Sequence, residues 1–369
     1  MKTAIFLGAG ASKSDGAPLQ GELFQDYFMS HSFFENQNNE MNQVLIDFFQ
    51  SAFQIDVLHV DNATAFPTFE EVFGLLDLSL SRNAPFQSSR KINGKYTPQA
   101  IKRHLIILMA LILKEKLCVP GYNHCYLIQN IEHNLITNNN IYFISTNYDI
   151  LIDNVLGNFD YMIDYGFAAP LSMSYRNDRK MIEVKSPKRS SVKETDFNKH
   201  CFTLFKLHGS LNWLYCKDCK SLTVTPYQKG AANYPMLADV LAYTYCKHCQ
   251  AMKEPVIIPP TYFKNYNNGY LKQTWASAAK NLEETEHIIF CGYSFPDADI
   301  HIKYLLKKAE IARKKPFRVT VINHFNGKSE TLAVEEKNRF DRFFSQKVNY
   351  THVSFEKFAR APFDFINLT

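Results

Sequence analysis

The sequence predicts an α/β fold with a doubly wound sheet, in which helices cover both faces of parallel strands. Two observations lead to this prediction. Short apolar runs alternate with long helical patterns along the chain, and the runs are almost continuously apolar, as in strands that are buried on both faces. The predicted strands are Thr3–Leu7, Ile141–Ser145, Phe202–Leu207, His287–Cys291 and Phe317–Ile322.

The helices of this fold are predicted where apolar residues recur every three or four positions. The residues between the first two strands are mostly helical and far outnumber those that one crossover connection needs, so they predict an inserted helical subdomain. The predicted helices are Leu19–Met29, Met41–Phe53, Phe69–Leu80, Pro98–Leu117, Tyr122–Leu135, Leu271–Leu282, Asp299–Ala312 and Val334–Phe344.

The length of 369 residues predicts two domains or one domain with insertions, because a single core stops growing at about 250–300 residues. We expect a sheet domain built from three segments with two additions. The segments are 1–30, 136–212 with a polar loop over 170–200, and 256–369, and the additions are a mostly helical insertion over 31–135 and a small module over 213–255. The basic stretch 176–199 in the polar loop is either a solvated excursion or a docking site.

Composition excludes several classes of protein. With 46% hydrophobic and 21% charged residues, the chain is neither disordered nor a coiled coil. The formal net charge of +5 is compatible with a phosphate-bearing ligand and too small to indicate nucleic acid. No apolar run approaches the roughly 18–20 residues that cross a bilayer, and no cleavage pattern follows the first strand, so we expect a cytoplasmic protein.

A glycine turn, Gly8-Ala9-Gly10-Ala11-Ser12, ends the first strand directly before a predicted helix. Glycines in such a turn let backbone N–H groups approach a phosphate without obstruction by a Cβ atom. The third glycine of a dinucleotide fingerprint is missing, so the pattern also fits an ordinary tight turn. Its position at the carboxyl end of an opening strand, where open α/β sheets bind ligands, favours a nucleotide.

Polar side chains follow the next two strands. Asn147 and Asp149 come after the second strand, where they could orient a water or ribose hydroxyl and offset positive charge at a sugar carbon, or serve as turn and N-cap residues. His208 follows the third strand. With an ordinary pKa of about 6.5, its imidazole is a candidate general base, and the alternative is a structural, hydrogen-bonded histidine.

The last two strands end in small polar residues as well. Gly292 and Ser294 follow one of them and Asn323 follows the other. Hydroxyl and amide side chains at strand ends can bind ribose hydroxyls, and the same residues are common in turns.

Two Cys-x-x-Cys pairs are the most specific local signal. Cys216 with Cys219 and Cys246 with Cys249 supply four thiolates, which satisfy a tetrahedral Zn²⁺ ion without an open position. They predict a structural zinc site in the module over 213–255, and the alternative is redox-active or simply buried cysteines.

Taken in order, these motifs resemble those of the sirtuin family. The resemblance extends from residue 8 to about residue 325 and implies a Rossmann-like NAD-binding fold with a structural zinc. It rests on Gly8-Ala9-Gly10-Ala11-Ser12, Thr146-Asn147-Tyr148-Asp149, His208-Gly209, the two cysteine pairs, Gly292-Tyr293-Ser294 and Ile322-Asn323.

The resemblance also implies roles for individual residues. The NAD phosphates would contact Gly8, Ala9, Gly10 and Ser12. The reacting ribose and the nicotinamide would contact Asn147 and Asp149, and the base would be His208. The adenosine side would contact Gly292, Ser294 and Asn323.

The chain departs from the protein deacylases of that family after its first motif. It keeps Pro18 but has Leu19-Gln20-Gly21 where those enzymes have Asp-Phe-Arg. It also has Thr146 in place of their Gln, and 256–260 is an altered stretch where their acyl-lysine groove is lined. These differences argue against deacylation.

Such a chain is similar to divergent bacterial sirtuin-like proteins, many of which hydrolyse NAD in antiphage defence. Those proteins often form oligomers and often work with an ATPase or a sensor protein. The resemblance therefore implies an NAD⁺ glycohydrolase that releases nicotinamide and ADP-ribose. The alternatives are an NAD-dependent protein deacylase and a non-catalytic sensor of NAD or ADP-ribose.

Overall fold

The computed structural model describes residues 1–83, 97–117, 121–135, 140–172, 182–188, 201–225, 245–258, 268–325, 329–344 and 347–366. The chain forms two compact units. The first, here called the sheet unit, contains Met1–Ala17, Leu117–Ile258 and Tyr266–Thr369, and the second, the helical unit, contains Pro18–Lys116. Of the basic stretch 176–199, only 182–188 belong to the described residues.

The five predicted strands are confirmed, with shifts of one residue at the third and the fifth. The strands of the described residues are β1 (Thr3–Leu7), β2 (Ile141–Ser145), β3 (Met162–Asp164), β4 (Leu171–Ser172), β5 (Ile182–Val184), β6 (Cys201–Lys206), β7 (Gly209–Tyr215), β8 (Leu222–Val224), β9 (Glu254–Ile257), β10 (His287–Cys291), β11 (Arg318–Ile322) and β12 (Asn349–Tyr350). In the described part of the chain, eight of them form one sheet in the order β12-β11-β10-β1-β2-β6-β3-β4. All neighbours are parallel except β3 and β4, so the predicted α/β class is confirmed.

The helices follow the predicted apolar periodicity. The first eight helices of the described residues are α1 (Ala9–Lys13), α2 (Leu23–Phe28), α3 (His31–Glu35), α4 (Glu40–Phe53), α5 (Phe69–Ser81), α6 (Pro98–Lys116), α7 (Tyr122–Leu135) and α8 (Leu151–Asn158).

The last five helices of the described residues are α9 (Gly269–Glu283), α10 (Ile300–Arg313), α11 (Glu330–Phe343), α12 (Phe355–Arg360) and α13 (Phe363–Ile366). Within the described part of the chain, every helix is too short or too polar to span a bilayer.

Side chains alternate across the large sheet and form one core on each face. Ile5 and Phe143 point to the face that is covered by α7, α8 and α12. Phe6 and Ile144 point to the opposite face, where α9, α10 and α11 pack. Helices on both faces explain why these strands are almost continuously apolar.

A second sheet, of four antiparallel strands in the order β5-β8-β7-β9, lies in the sheet unit and was not predicted from the sequence. The stretch 170–200, expected as a polar loop, contributes the short strands β4 and β5 from its described residues. Strands of two or three residues are too short to produce a periodic signal, so the polar composition around them dominated the prediction.

The helical unit has a core rich in phenylalanine. The ring of Phe49 lies 4.8 Å from that of Phe24 and 5.2 Å from that of Phe28, measured between centroids. Helix α5 begins with a capping box, in which Thr68 accepts from the backbone of Glu71 and the Glu71 side chain accepts from the backbone of Thr68.

The register of the parallel strands brings their carboxyl ends to one level. Leu7 at the end of β1 pairs with Ser145 at the end of β2 and with Cys291 at the end of β10. Cys291 in turn pairs with Ile322 at the end of β11. The strand order reverses beside β1, since β2 lies on one side of it and β10 on the other, and such switch points are where open α/β sheets bind ligands.

Candidate functional site

The glycine turn after β1 packs directly on the turn after β10. Gly8 donates its N–H to the carbonyl of Cys291 at 3.0 Å, and Gly10 donates to the carbonyl of Gly292 at 2.8 Å. A Cβ at Gly8 would lie 2.6 Å from the Cα of Tyr293, and one at Gly10 would lie 2.8 Å from the Cα of Gly292. The Cβ-free surface that the sequence suggested for a phosphate is therefore occupied by the backbone of the neighbouring turn.

Gly292 completes this contact from the other side. Its φ of +58° lies in the left-handed region, and a Cβ there would lie 2.3 Å from the backbone nitrogen of Ala11. The two turns can approach each other this closely because all three positions are glycine. Ala9, which was also selected from the sequence, lies in the same turn as the first residue of α1.

Ser12, Asn147 and Asp149 form a hydrogen-bonded cluster between the ends of β1 and β2. The hydroxyl of Ser12 donates to Oδ2 of Asp149 at 2.7 Å. Nδ2 of Asn147 donates to the hydroxyl of Ser12 at 2.8 Å and to the carbonyl of Gly8 at 2.9 Å. Oδ1 of Asp149 accepts from the N–H of Leu151 at 3.1 Å, at the start of α8. Residues selected from two separate motifs of the sequence thus form one hydrogen-bonded cluster.

A buried lysine supports this cluster from inside the sheet unit. Lys206, the last residue of β6, is fully buried and donates through Nζ to the backbone carbonyl of Asp149 and, at 3.2 Å, to Oδ2 of Asp153. The hydroxyl of Tyr165 donates to the other oxygen of Asp153. A buried ammonium is tolerated only when it is paired and hydrogen-bonded, and Asp153 supplies the opposite charge.

His208 lies after β6, and its imidazole faces an aspartate that the sequence did not indicate. Nε2 of His208 is 3.4 Å from Oδ1 of Asp299, and both side chains are almost fully buried. Oδ2 of Asp299 accepts from the hydroxyl of Tyr293 at 2.7 Å. The ring of Tyr148 lies 6.3 Å from the imidazole, between centroids. The signal that could have revealed Asp299 and Tyr293 is their place in the polar segment that follows β10.

Ser294 and Asn323 lie at the ends of β10 and β11. Asn323 donates through Nδ2 to Oε1 of Glu336 at 2.5 Å, and its Oδ1 accepts from the N–H of Phe325 at 3.1 Å. The carbonyl of Ser294 accepts from Nε of Arg339 at 3.1 Å. Helix α11 therefore contributes one anion and one cation to this side of the sheet edge.

Asp15 anchors the chain just beyond the glycine turn. Its carboxylate accepts from Nδ1 of His124 at 2.5 Å and from the backbone N–H of Asn123 at 2.9 Å and of His124 at 3.2 Å. Burial raises the pKa of Asp15, but its bonds and charge interaction with His124 and the backbone N–H groups outweigh burial, so the pKa lies below the ordinary value. These bonds tie the end of α1 to the start of α7.

The four cysteines of the two pairs meet in space. Their sulfur atoms all lie within 4.8 Å of one another, and the backbone N–H of Cys219 donates to the sulfur of Cys216 at 3.4 Å. The residue after each pair, Lys220 or Gln250, has a positive φ, of 57° and 61°. The two turns thus end in the same left-handed backbone conformation. The donor set and its spacing fit a structural zinc ion, as the sequence predicted.

The electrostatics of these thiols also suit a metal. Burial raises the pKa of Cys246, but N–H groups of Cys249 and His248 bond to its sulfur, and the pKa falls to about 6. Hydrogen bonding with Cys249 raises the pKa of Cys219 to about 12. A divalent cation would stabilise the deprotonated form of all four thiols.

Comparison with known proteins shows that the chain resembles a known family in sequence. A family model described as a SIR2-like domain matches residues 142–346. Among solved structures, a Sir2 homologue in complex with NAD is 11% identical with a TM-score of 0.43, over 99% of this chain and 89% of that one. A Sir2–p53 peptide–NAD⁺ complex is 14% identical with a TM-score of 0.40, over 100% and 94%. A search of curated proteins gives no match.

Proposed function

Because the chain belongs to the SIR2-like family, we propose that it is an NAD⁺ glycohydrolase, which cleaves NAD⁺ and water to nicotinamide and ADP-ribose. The observation that carries this proposal is the hydrogen-bonded cluster of Ser12, Asn147 and Asp149 at the switch point of the sheet. A carboxylate and an oriented amide at that place suit a reaction that develops positive charge on a ribose carbon.

Asp149 and Asn147 would divide the chemistry between charge and orientation. The bond between the ribose C1′ and the nicotinamide nitrogen breaks, and its electron pair leaves with nicotinamide. The carboxylate of Asp149 would offset the charge that develops on the ribose. Nδ2 of Asn147 is bonded to Gly8 and Ser12, so its Oδ1 is the atom that would accept a hydrogen bond from the attacking water.

His208 would act as the base. As the water adds to C1′, one of its protons must be transferred, and a neutral imidazole can accept it near neutral pH. The protein would then release that proton to solvent, which completes the balance of one water consumed and one proton released.

The remaining predicted residues would bind the rest of the nucleotide. We propose that the phosphates lie beside the glycine turn at Ala9 and Ser12, because Gly8 and Gly10 donate their N–H groups to the turn after β10 and shape this surface rather than bind the phosphates directly. The adenosine side would lie at Gly292, Ser294 and Asn323. The net charge of +5 favours a phosphate-bearing substrate. A structural zinc ion, held by the four cysteines, would stabilise the second sheet and take no part in the reaction.

We place this activity in antiphage defence by depletion of NAD in the bacterial cytoplasm, on the strength of the resemblance described above. An oligomer and a partner ATPase or sensor protein belong to the same proposal. Each would control when the enzyme becomes active, because an unregulated NAD hydrolase would deplete the cell that makes it.

The test is incubation of the purified protein with NAD⁺, with and without an acetylated peptide, followed by chromatography of the products. We expect nicotinamide and ADP-ribose in equal amounts, independent of the peptide. O-acetyl-ADP-ribose formed only with peptide would establish a deacylase instead. Binding of NAD⁺ or ADP-ribose without turnover would favour a sensor. The Asn147→Ala variant is the control for a contaminating hydrolase, because its preparation should contain the same contaminants.

A further inference from the structure

We infer that Asp299 is a positioning residue for the proposed reaction: it holds the imidazole of His208 so that Nε2 carries a proton and Nδ1 is the basic nitrogen. This inference rests on the proposed function and adds a residue to it. The geometry that carries it is the 3.4 Å approach of Oδ1 of Asp299 to Nε2 of His208. A carboxylate bonded to one imidazole nitrogen selects the tautomer in which the other nitrogen is the base.

Asp299 lies at the start of a helix, but its carboxylate does not make the hydrogen bond that is usual at that position. Asp299 occupies the N-cap position of α10, where an aspartate normally accepts a hydrogen bond from the first turn of the helix. Its side chain makes no such bond. One carboxylate oxygen faces His208 and the other accepts from the hydroxyl of Tyr293. The carboxylate of Asp299 therefore contacts the candidate base His208 instead of capping the helix.

The segment that carries Asp299 is held in a strained backbone conformation. Phe295 has a φ of +53°, which is rare for a bulky residue, and Gly292 has a φ of +58°. The ring of Phe295 is fully buried and stacks on Phe340 with centroids 4.7 Å apart. Packing thus fixes a turn that the backbone alone would not favour, and strain of this kind clusters at functional sites.

Tyr293 fixes the carboxylate within this segment. Its ring packs on Phe6 of β1 at 4.7 Å between centroids. Its hydroxyl donates to Oδ2 of Asp299. The second carboxylate oxygen is thereby satisfied, and the first remains directed to His208. The base is held from the turn after β10 and from the end of β6.

This arrangement gives each imidazole nitrogen a defined task. Nδ1 takes the proton of the water that attacks C1′, while Nε2 keeps its own proton. The resulting imidazolium is stabilised by the carboxylate of Asp299, which stays ionised throughout. When the proton leaves Nδ1 for solvent, the starting state is restored.

The decisive variant is Asp299→Asn. The Asn amide can donate to Nε2, which would force the proton of the neutral imidazole onto Nδ1 and block its use as a base. By analogy with the known serine protease triad, we expect kcat to fall by about 10³–10⁴-fold with KM changed much less. The matched control is Asp297→Asn in the same segment, where the carboxylate is 64% exposed and paired with Lys303 at 2.6 Å. Its kcat should stay within about twofold of the wild type.

A second measurement reads the imidazole without any turnover. ¹⁵N-histidine NMR of the full-length protein, with His208 assigned by the His208→Gln variant, should show the proton on Nε2 in the wild type and on Nδ1 in Asp299→Asn. Wild-type protein that does not cleave NAD⁺ would overturn the proposed function, and the tautomers would still decide the role of Asp299. An unchanged tautomer, or wild-type kcat in Asp299→Asn, would overturn the inference.

The Tyr293→Phe variant covers the case in which Asp299→Asn does not fold. It keeps the ring packing and removes only the hydroxyl that holds the carboxylate, so kcat should fall by about 10- to 150-fold, which corresponds to the loss of one hydrogen bond to a charged group. In that case, unchanged kcat and an unchanged tautomer in Tyr293→Phe would overturn the inference.

Discussion

The sheet unit brings polar side chains together in two places, and it does so by different means. At the cysteine cluster, each Cys-x-x-Cys pair comes from one local turn, and the two turns meet in space. At the edge formed by the carboxyl ends of the strands, Ser12, Asn147 and His208 follow three different strands and are aligned by strand register. These three residues are here called the edge site. A local motif is assembled by its own turn, whereas the edge site depends on the whole sheet. Removal of a cysteine ligand should therefore unfold the second sheet together with loss of the metal. Substitution of an edge-site residue should abolish activity without unfolding the protein.

The largest effect is expected from Cys216→Ser, which tests the first half of this comparison. Structural zinc contributes about 10–16 kcal/mol of binding free energy that is coupled to folding. We expect zinc to fall from about one ion per chain to none and the second sheet to unfold, as measured by metal analysis and circular dichroism. Cys125→Ser, outside the cluster, should keep its zinc. A wild-type protein purified without zinc would contradict the prediction.

The Asn147→Ala variant tests the second half. It removes the bonds to Gly8 and Ser12 and the atom that would orient the water, so NAD⁺ cleavage should fall at least about 100-fold. The melting temperature should change by only a few degrees, because Asn147 is only partly buried. His208→Ala should behave in the same way. Full activity in both folded variants would remove the edge site from the reaction.

Lys206→Met tests how much the buried ion pair between Lys206 and Asp153, beneath the edge site, contributes to the free energy of unfolding. The substitution leaves Asp153 buried without its counter-charge, and we expect a loss of about 3–5 kcal/mol in the free energy of unfolding. The measurement is urea denaturation. The double variant Lys206→Met with Asp153→Asn removes both charges and should recover part of the loss. No recovery would mean that packing, and not charge, explains the effect.

Gly10→Ala tests the contact between the two turns. Its Cβ would lie 2.8 Å from the backbone of Gly292, so we expect a loss of about 1–3 kcal/mol in the free energy of unfolding. Gly21→Ala is the matched control, because a Cβ there has nothing within 4 Å, and it should change stability by no more than about 0.5 kcal/mol. Equal effects in thermal or urea unfolding would show that glycine content, and not the close approach, matters.

The smallest effect concerns pH and the anchor of the glycine turn. The pKa of Asp15 is lower in the folded protein than its ordinary value of 3.8, so the ionised carboxylate stabilises the fold above that value. This contribution is lost as the pH falls from about 4 through the lower, folded pKa. We therefore expect the difference in unfolding free energy between wild type and Asp15→Asn to shrink below about pH 4. A difference that stays constant over that range would exclude Asp15 as its source.

Much of the fold follows from local patterns. The strands β1, β2 and β10 have the predicted bounds, β6 is shifted by one residue at both ends, and β11 begins one residue later than predicted. Strand β7 was missed although it is the longest of the described strands, because Ser210 and Asn212 make its sequence look half-exposed. Both residues are in fact fully buried. Burial of polar positions is decided by neighbouring strands and not by the sequence of the strand itself.

The candidate site was predicted in part for the same reason. Strand ends and Cys-x-x-Cys spacings mark Asn147, Asp149 and the four cysteines, because each signal lies within a few residues of an element whose periodicity is clear. The partner of His208 comes from a segment about ninety residues further along the chain, as the numbers of His208 and Asp299 show. Local sequence patterns do not indicate which residues so far apart along the chain come into contact.

The order of elements, the metal-ligating turns and the polar groups at strand ends follow from the amino-acid sequence, since they depend on local periodicity and local turn chemistry. Which of those polar groups meet depends on the folding of distant segments against one another. Strand register set the level of Ser12 and Asn147, and the contact of three glycines set the distance between two turns. The strained segment before α10 directed Asp299 to His208. Contacts of this kind depend on the packing of distant segments, which no local pattern records.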